Sequence, residues 1–345
     1  MKRIVLATLV VILLLSVSSC SDQTDLSPVI PTPSPSPTAT AQNNPLTNAN
    51  TPNSNIPVLS IIPQDGGLGS SEVKTIGIVS DVGFINKDTK LAFSLPVYVN
   101  QYAYNQAGPM FEVTSALKET MTDNLALFLS LLYGKDSAAA NEITMHPAVS
   151  YQMYFANDEI EAWSGASGLS IINTTYNCTT DSILDELKTN PLLIAAVEYL
   201  GLENIKVTTT VEYDVNGNQN RFNHIITEES DDTLTNILNN SFSYITVIVD
   251  KDGMLKQVRI RKVDTLPVHA EYTIIPYDDM LSQIKAMYSL DTSYDVKTEI
   301  YYNTTAVPGY FVPCYRLYFI PTQNQNAQAS AHVMDVAAID LSIIK

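Results

Sequence analysis

Residues 205–213, IKVTTTVEY, alternate without a break. Ile205, Val207, Thr209, Val211 and Tyr213 fall on one face, and Lys206, Thr208, Thr210 and Glu212 on the other. Side chains of a strand point to opposite faces in turn, so this period of two demands a half-buried β-strand. Asn216-Gly217 then offers the positive-φ pair of a type I′ turn, and NRFNHIIT (220–227) supplies the returning strand. The same grammar recurs at SYITVIVD (243–250) and MLKQVRIRKV (254–263), joined through Asp252-Gly253. Successive hairpins of this kind commit the chain to antiparallel sheet.

Helical periodicity is interleaved with the hairpins. From Val113 to Tyr133, Leu117, Met121, Leu125, Phe128 and Leu132 recur every three or four residues, and Gly134 supplies a stop. A second helical region covers 181–200, with a break expected where Pro191 follows Asn190; Asn190 caps the helix that ends at Gly201. Shorter helices are expected at 233–239 and 277–288, and further strands at 74–80, 90–100, 148–156, 169–173, 268–275, 296–302, 311–320 and 332–341. The fold class is therefore α+β: antiparallel sheets with helices packed on one face, as helix-plus-hairpin units repeated about three times.

The amino terminus is of another kind. Lys2 and Arg3 precede an apolar run, Ile4 to Leu15, interrupted only by Thr8, and small residues lead up to Cys20. A charged start, a core of about 12 apolar residues and a small-residue zone are the anatomy of a secretory signal. The run is short against the roughly 20 residues of a spanning helix. Residues 21–57 are dominated by Pro, Ser, Thr and Asn without apolar periodicity, so they cannot offset their ordering entropy and are expected to form a disordered tether. Fully extended, it would reach roughly 110 Å at about 3.1 Å per residue.

From Cys20 onward there are 17 basic against 36 acidic residues, a net charge of −19. Such a chain is repelled by nucleic acid and by anionic headgroups, so nucleic acid is excluded as a partner. Besides Cys20 the cysteines are Cys178 and Cys314, which form either one disulfide or two isolated buried thiols; their spacing does not decide.

Two resemblances bear on function. Val17-Ser18-Ser19-Cys20 resembles the lipobox of bacterial lipoproteins. The resemblance implies a diacylglycerol thioether on Cys20, cleavage before it, and a protein held to the lipid bilayer on the extracytoplasmic face of the cell membrane, since two acyl chains anchor durably. EYTIIPYDDMLSQIKAMYSL followed by VKTEIYYNTTAVPGYFVPCYRLYF resembles PepSY-like modules and YycH/YycI-type regulatory proteins. The matching residues are Asp279, Met280 and Ile284 on the helix, Tyr301 and Tyr302 on one strand, and Pro313, Tyr315 and Tyr318 on the next. It covers about a quarter of the chain and departs in its anchor, because YycH/YycI-type proteins carry a transmembrane helix. It implies an extracytoplasmic binding or regulatory module for another envelope protein, with Tyr301, Tyr302, Tyr315 and Tyr318 as a docking surface. Packing of the same tyrosines is the competing reading.

Catalytic patterns are incomplete. Ser115-Ala116-Leu117-Lys118 matches S-x-x-K without its K-T-G and S-D-N companions. GASGL (165–169) lacks the last glycine of a nucleophile elbow, and EAWSGASG, with the sole tryptophan, reads as a flexible loop. His146, His224, His269 and His332 are scattered without zinc spacing, and DVNGNQN (214–220) has its glycine misplaced for a calcium loop. No catalytic residue, metal or cofactor is assigned. The expected organisation is a signal peptide (1–19), a lipidated tether (20–57), a first α+β module (58–201), a hairpin-rich middle (202–270) and a PepSY-like module (271–345). A solute-binding lipoprotein of a transporter is the alternative function, and a cell-wall hydrolase a weaker one.

Overall fold

The computed structural model describes residues 59–62, 76–78, 91, 93–105, 108–178, 182–213, 219–288, 294–322 and 330–344. The chain divides into residues 1–51 and 52–345, and every described residue belongs to the second unit. The signal segment, Cys20, the tether and the 214–218 part of the calcium-like loop lie outside the described residues.

The helices are α1 (Ser115–Tyr133), α2 (Ile183–Thr189), α3 (Pro191–Leu200), α4 (Thr233–Phe242) and α5 (Tyr277–Tyr288). The first strands are β1 (Ile61–Ile62), β2 (Ile76–Ile78), β3 (Ser94–Val99), β4 (Tyr104–Asn105), β5 (Gly108–Pro109), β6 (Thr144–Met145), β7 (Met153–Ala156), β8 (Glu161–Gly165) and β9 (Gly168–Ile172). The remainder are β10 (Ile205–Tyr213), β11 (Gln219–Glu228), β12 (Ser243–Asp250), β13 (Leu255–Lys262), β14 (Val268–Thr273), β15 (Tyr294–Asn303), β16 (Tyr310–Pro321) and β17 (Ser330–Ala337). β4 and β5 pair with each other. The rest join one sheet in the order β14-β3-β16-β17-β2-β10-β11-β12-β13-β9-β8-β7-β6, with β1 on β17 and β15 on β16. The helix-plus-hairpin unit occurs as α3 with β10–β11, α4 with β12–β13 and α5 with β15–β16, and the fold is α+β.

Local chemistry explains the boundaries. Thr114 caps α1 by accepting from Leu117 N at 3.1 Å, and Gly134 ends it at φ 90°. Met121, Leu125, Phe128 and Leu129 form its buried stripe, worth on the order of 1.5–3 kcal/mol each. The break between α2 and α3 falls at Asn190, because a residue before proline is pushed out of the α region. Asn190 accepts from Leu192 N at 3.1 Å and donates through Nδ2 to Asn177 O at 2.9 Å, fixing α3 to the preceding loop.

Two hydrophobic cores sit along the sheet. The first packs α1, α2 and α3 on Phe155, Ala162, Leu169, Ile171, Ile226, Ile245, Val247, Val258 and Ile260, all from one face of β7–β13. The second gathers Ile237 and Phe242 of α4, Met280 and Ile284 of α5, Leu95 and Val97 of β3, and Ile300, Tyr315, Leu317 and Val336 of β15–β17. These cores cut across the expected modules. β1 and β3, from the first, and α4, from the middle, complete the core of the last, because β3 inserts between β14 and β16. β2 joins the two parts of the sheet, pairing β17 on one edge and β10 on the other.

One expectation is overturned outright: EAWSGASG is a hairpin, β8–β9, and not a loop. Glycine at 168 makes it possible. Gly168 has φ 142°, and a Cβ there would sit 1.9 Å from Ile260 O on β13. Its small-residue composition masked a strand whose alternate residues, Ala162 and Ser164, are buried in the first core face.

Candidate functional site

The four tyrosines proposed for docking are the first place to look, and the structure reassigns them. Tyr302, Tyr315 and Tyr318 are 4%, 0% and 7% exposed, and Tyr301 is half-buried. Their hydroxyls are satisfied internally: Tyr302 donates to Pro96 O at 2.9 Å, Tyr315 to Ile275 O at 2.7 Å and Tyr318 to Glu299 Oε1 at 2.6 Å. Packing, not docking, accounts for them, since an aromatic ring fills core volume while its hydroxyl reaches a partner at the rim.

Tyr301 belongs to a polar network on the sheet face opposite Ile300 and Tyr315. Glu299 of β15, Arg316 of β16 and Asp335 of β17 are in register across three strands. Arg316 grips Asp335 bidentately, Nε to Oδ1 at 2.8 Å and Nη2 to Oδ2 at 3.0 Å, and its guanidinium lies 4.3 Å from the Tyr301 ring centroid. Tyr301 donates to Asp335 Oδ2 at 2.8 Å and accepts from Asn303 Nδ2 at 2.7 Å and Arg316 Nη2 at 3.0 Å. Burial raises the Tyr301 hydroxyl pKa, and the Tyr318 pKa is raised by burial and by the neighbouring Glu299 carboxylate. Both phenols therefore stay protonated near neutral pH and donate to the Asp335 and Glu299 carboxylates.

Cys178 lies in the first core and Cys314 in the second, each fully buried, with no bridge between them. Of the two arrangements left open by the sequence, the structure has the two separate buried thiols, and the possible Cys178–Cys314 disulfide is not formed. Burial pushes the Cys178 thiol up to about 12 and the Cys314 thiol higher still, which keeps both protonated and poorly nucleophilic.

The remaining patterns are dispersed. Ser115 opens α1 at the surface, and no hydrogen bond joins it to Lys118 among the described residues. His146, His224 and His269 sit in three different ring environments, and the described residues contain no group of three His, Cys, Asp or Glu able to hold a metal.

What the hairpins also build is a second sheet face, on which the Arg261 guanidinium lies 5.8 Å from the Phe311 ring of the second core and Arg259 is exposed. The three helices of the first core all lie on the side of Val258 and Ile260. On the other side one register row crosses the sheet: Thr144, Tyr154, Trp163, Ser170, Arg259, Thr246, Ile225 and Thr208. His146 packs edge-on to Tyr154 and Trp163, with centroids 5.0 and 6.1 Å apart. Gln257 donates to Ser170 Oγ at 2.9 Å. Arg259 is exposed and makes no hydrogen bond or ion pair among the described residues. The carboxylates of this face are engaged: Glu212 by Arg221 and Asn223, Asp250 by Lys256 at 2.8 Å, and Glu161 by Asn173 at 2.6 Å. The strand alternation at 205–213 was the sequence signal for this face; Trp163 was missed because its strand was read as a loop.

No protein-family model matches the chain, and no curated protein matches it.

Proposed function

We propose that the chain is a lipid-anchored extracytoplasmic module that acts by binding another component of the envelope rather than by catalysis. The lipobox resemblance at Cys20 supports the location. The observation that supports the binding role is the sheet face on the side away from α1–α3, where Tyr154 and Trp163 are half-buried and Arg259 is exposed. Aromatic and hydroxyl side chains on one face supply contact area and hydrogen-bonding groups. The strand pairings are antiparallel throughout the described residues, whereas a transporter's solute-binding lobes call for parallel sheets.

The test is site-specific photo-cross-linking of the full chain in its native cells. A cross-linker at Ser170 on that face is compared with one at Leu127, exposed on α1. A discrete adduct from position 170 and none from 127 is expected; identical patterns from both positions refute the reading. An adduct containing another envelope protein would match the regulatory partner implied by the C-terminal resemblance.

A further inference from the structure

At one end of the strand order stands β14, which pairs β3 on one edge and no other strand among the described residues. Ile274 N donates to Phe93 O at 3.1 Å, so Ile274 and, two residues back, Tyr272 turn their backbone groups toward β3. Glu271 stands opposite Pro96, which has no N–H and whose carbonyl accepts from the Tyr302 hydroxyl at 2.9 Å instead of from β14. Glu271 and Thr273 therefore aim both N–H and C=O out of the sheet, and both residues are exposed. Those four main-chain groups are a template for a further strand. Neither lysine nor proline lies within Val268–Thr273 to block it, and the register shift between Val268 and Ala270 bounds it at one end. Phe93 and Val268, 79% and 59% exposed, border the same edge and are the most exposed large apolar residues among those described.

We infer that this edge pairs antiparallel with the same strand of a second copy, about a two-fold axis through Tyr272. Self-pairing has three registers to choose from, and the residues discriminate among them. An axis through Glu271 sets two carboxylates face to face and draws in His269, where the ladder is already irregular. An axis through Thr273 needs the backbone of Ile275, whose N–H is taken by Ala338 O at 2.7 Å. The axis through Tyr272 sets Glu271 against the partner's Thr273, a carboxylate against a hydroxyl, and closes four N–H···O bonds, two donated by each copy. Ala270 then faces the partner's Ile274, small against large. The Tyr272 ring, packed on the second core, meets the partner's Tyr272 as a cross-strand aromatic pair. Such an interface uses the same patch twice, so it closes as a dimer. It adds to the binding role without depending on it, because β14 and the strands of Tyr154 and Trp163 stand toward opposite ends of the strand order.

Disulfide trapping of the full chain in its native cells reads the register. Facing residues of a non-hydrogen-bonded pair have Cα atoms about 4.5 Å apart and those of a hydrogen-bonded pair about 5.5 Å, whereas diagonal neighbours at about 7–8 Å are too far to bridge. Y272C is expected to give a covalent dimer on mild oxidation, E271C or T273C alone about tenfold less, and E271C co-expressed with T273C a mixed dimer. The mixed pair alters exposed side chains only, so it reads the register even where Y272C fails to fold. Adding T273P to the E271C partner chain's counterpart is unnecessary; added to Y272C, it removes an outward N–H without touching the β3 ladder and is expected to lower the yield about tenfold. Wild type, with its own cysteines, sets the background. No dimer above that background, equal yields from every position, or an adduct with a different protein overturns the inference.

Discussion

His224 offers the sharpest test of the fold. It lies on β11 in register with Thr209 of β10 and Val247 of β12, on the face that carries the first core. The side chain is fully buried; Nδ1 meets Thr209 Oγ1 at 2.9 Å, and Nε2 has no partner among the described residues. Burial alone lowers its pKa from 6.5 to about 4. The folded pKa is the depressed one, so the unfolded chain binds the proton first. Stability from the neutral ring is fully present above about pH 6.5 and is lost as pH falls toward 4. At pH 4, where the buried ring is half protonated, the loss is on the order of 3 kcal/mol, a large part of the stability of an ordinary domain. His224→Leu removes the titration, retains the volume and deletes the orphaned nitrogen. Urea unfolding of both proteins, followed by Trp163 emission and circular dichroism, is run from pH 7.5 to 4. Acidic residues titrate in both and cancel in the difference. The variant should gain about 3 kcal/mol on the wild type between pH 7 and 4; a difference that stays constant within about 0.5 kcal/mol refutes the buried, neutral imidazole.

Three further perturbations bear on other parts of the molecule. Arg316→Ala leaves Asp335, 3% exposed, without its counter-ion and should cost about 3–5 kcal/mol in urea unfolding, whereas Arg316→Met with Asp335→Leu should cost less than the single change. Gly168→Ala drives a methyl against Ile260 O at a positive φ and should lower the melting temperature by several degrees, while Gly165→Ala, with its nearest atom 4.0 Å away, should not. Cys178 and Cys314 should resist alkylation in the native protein and react after denaturation, and reducing agent should leave the melting temperature unchanged; a mass two units below the dithiol form would contradict this.

Strongly periodic or well-punctuated segments were legible from sequence alone. The alternation at 205–213, the Gly-marked end of α1 and the Asn190-Pro191 break all appear where local chemistry puts them, because each is decided within a few residues. What depended on distant partners was not. Trp163 sits on a strand because Gly168 lets β9 approach β13, a contact 92 residues away in sequence between Gly168 and Ile260. β3 was recognised as a strand, but its place between β14 and β16 assigns it to the second core and dissolves the expected module boundaries. The tyrosines of the C-terminal resemblance share a strand pattern with any half-exposed sheet. Only the acceptors Pro96, Ile275 and Glu299 show that their hydroxyls are consumed inside.

The Arg316 network explains how the long C-terminal strands keep one register. A slip of one residue would turn the apolar set of β16 away from the second core, which its burial forbids. A slip of two keeps each side chain on its own face and would satisfy hydrophobicity nearly as well. It would also set Arg316 against Val333 or Ala337 and strand Asp335 among apolar neighbours, at a cost of several kcal/mol. The charge pair is thus more valuable for excluding the alternative than for its net attraction. On the first part of the sheet Glu212 and Arg221 form a comparable in-register pair across β10 and β11. Its apolar counterpart lies on the opposite face, where Ile245, Val247, Val258 and Ile260 pack under α1–α3, so a slip of one residue is excluded by burial and a slip of two between β10 and β11 by the charge pair.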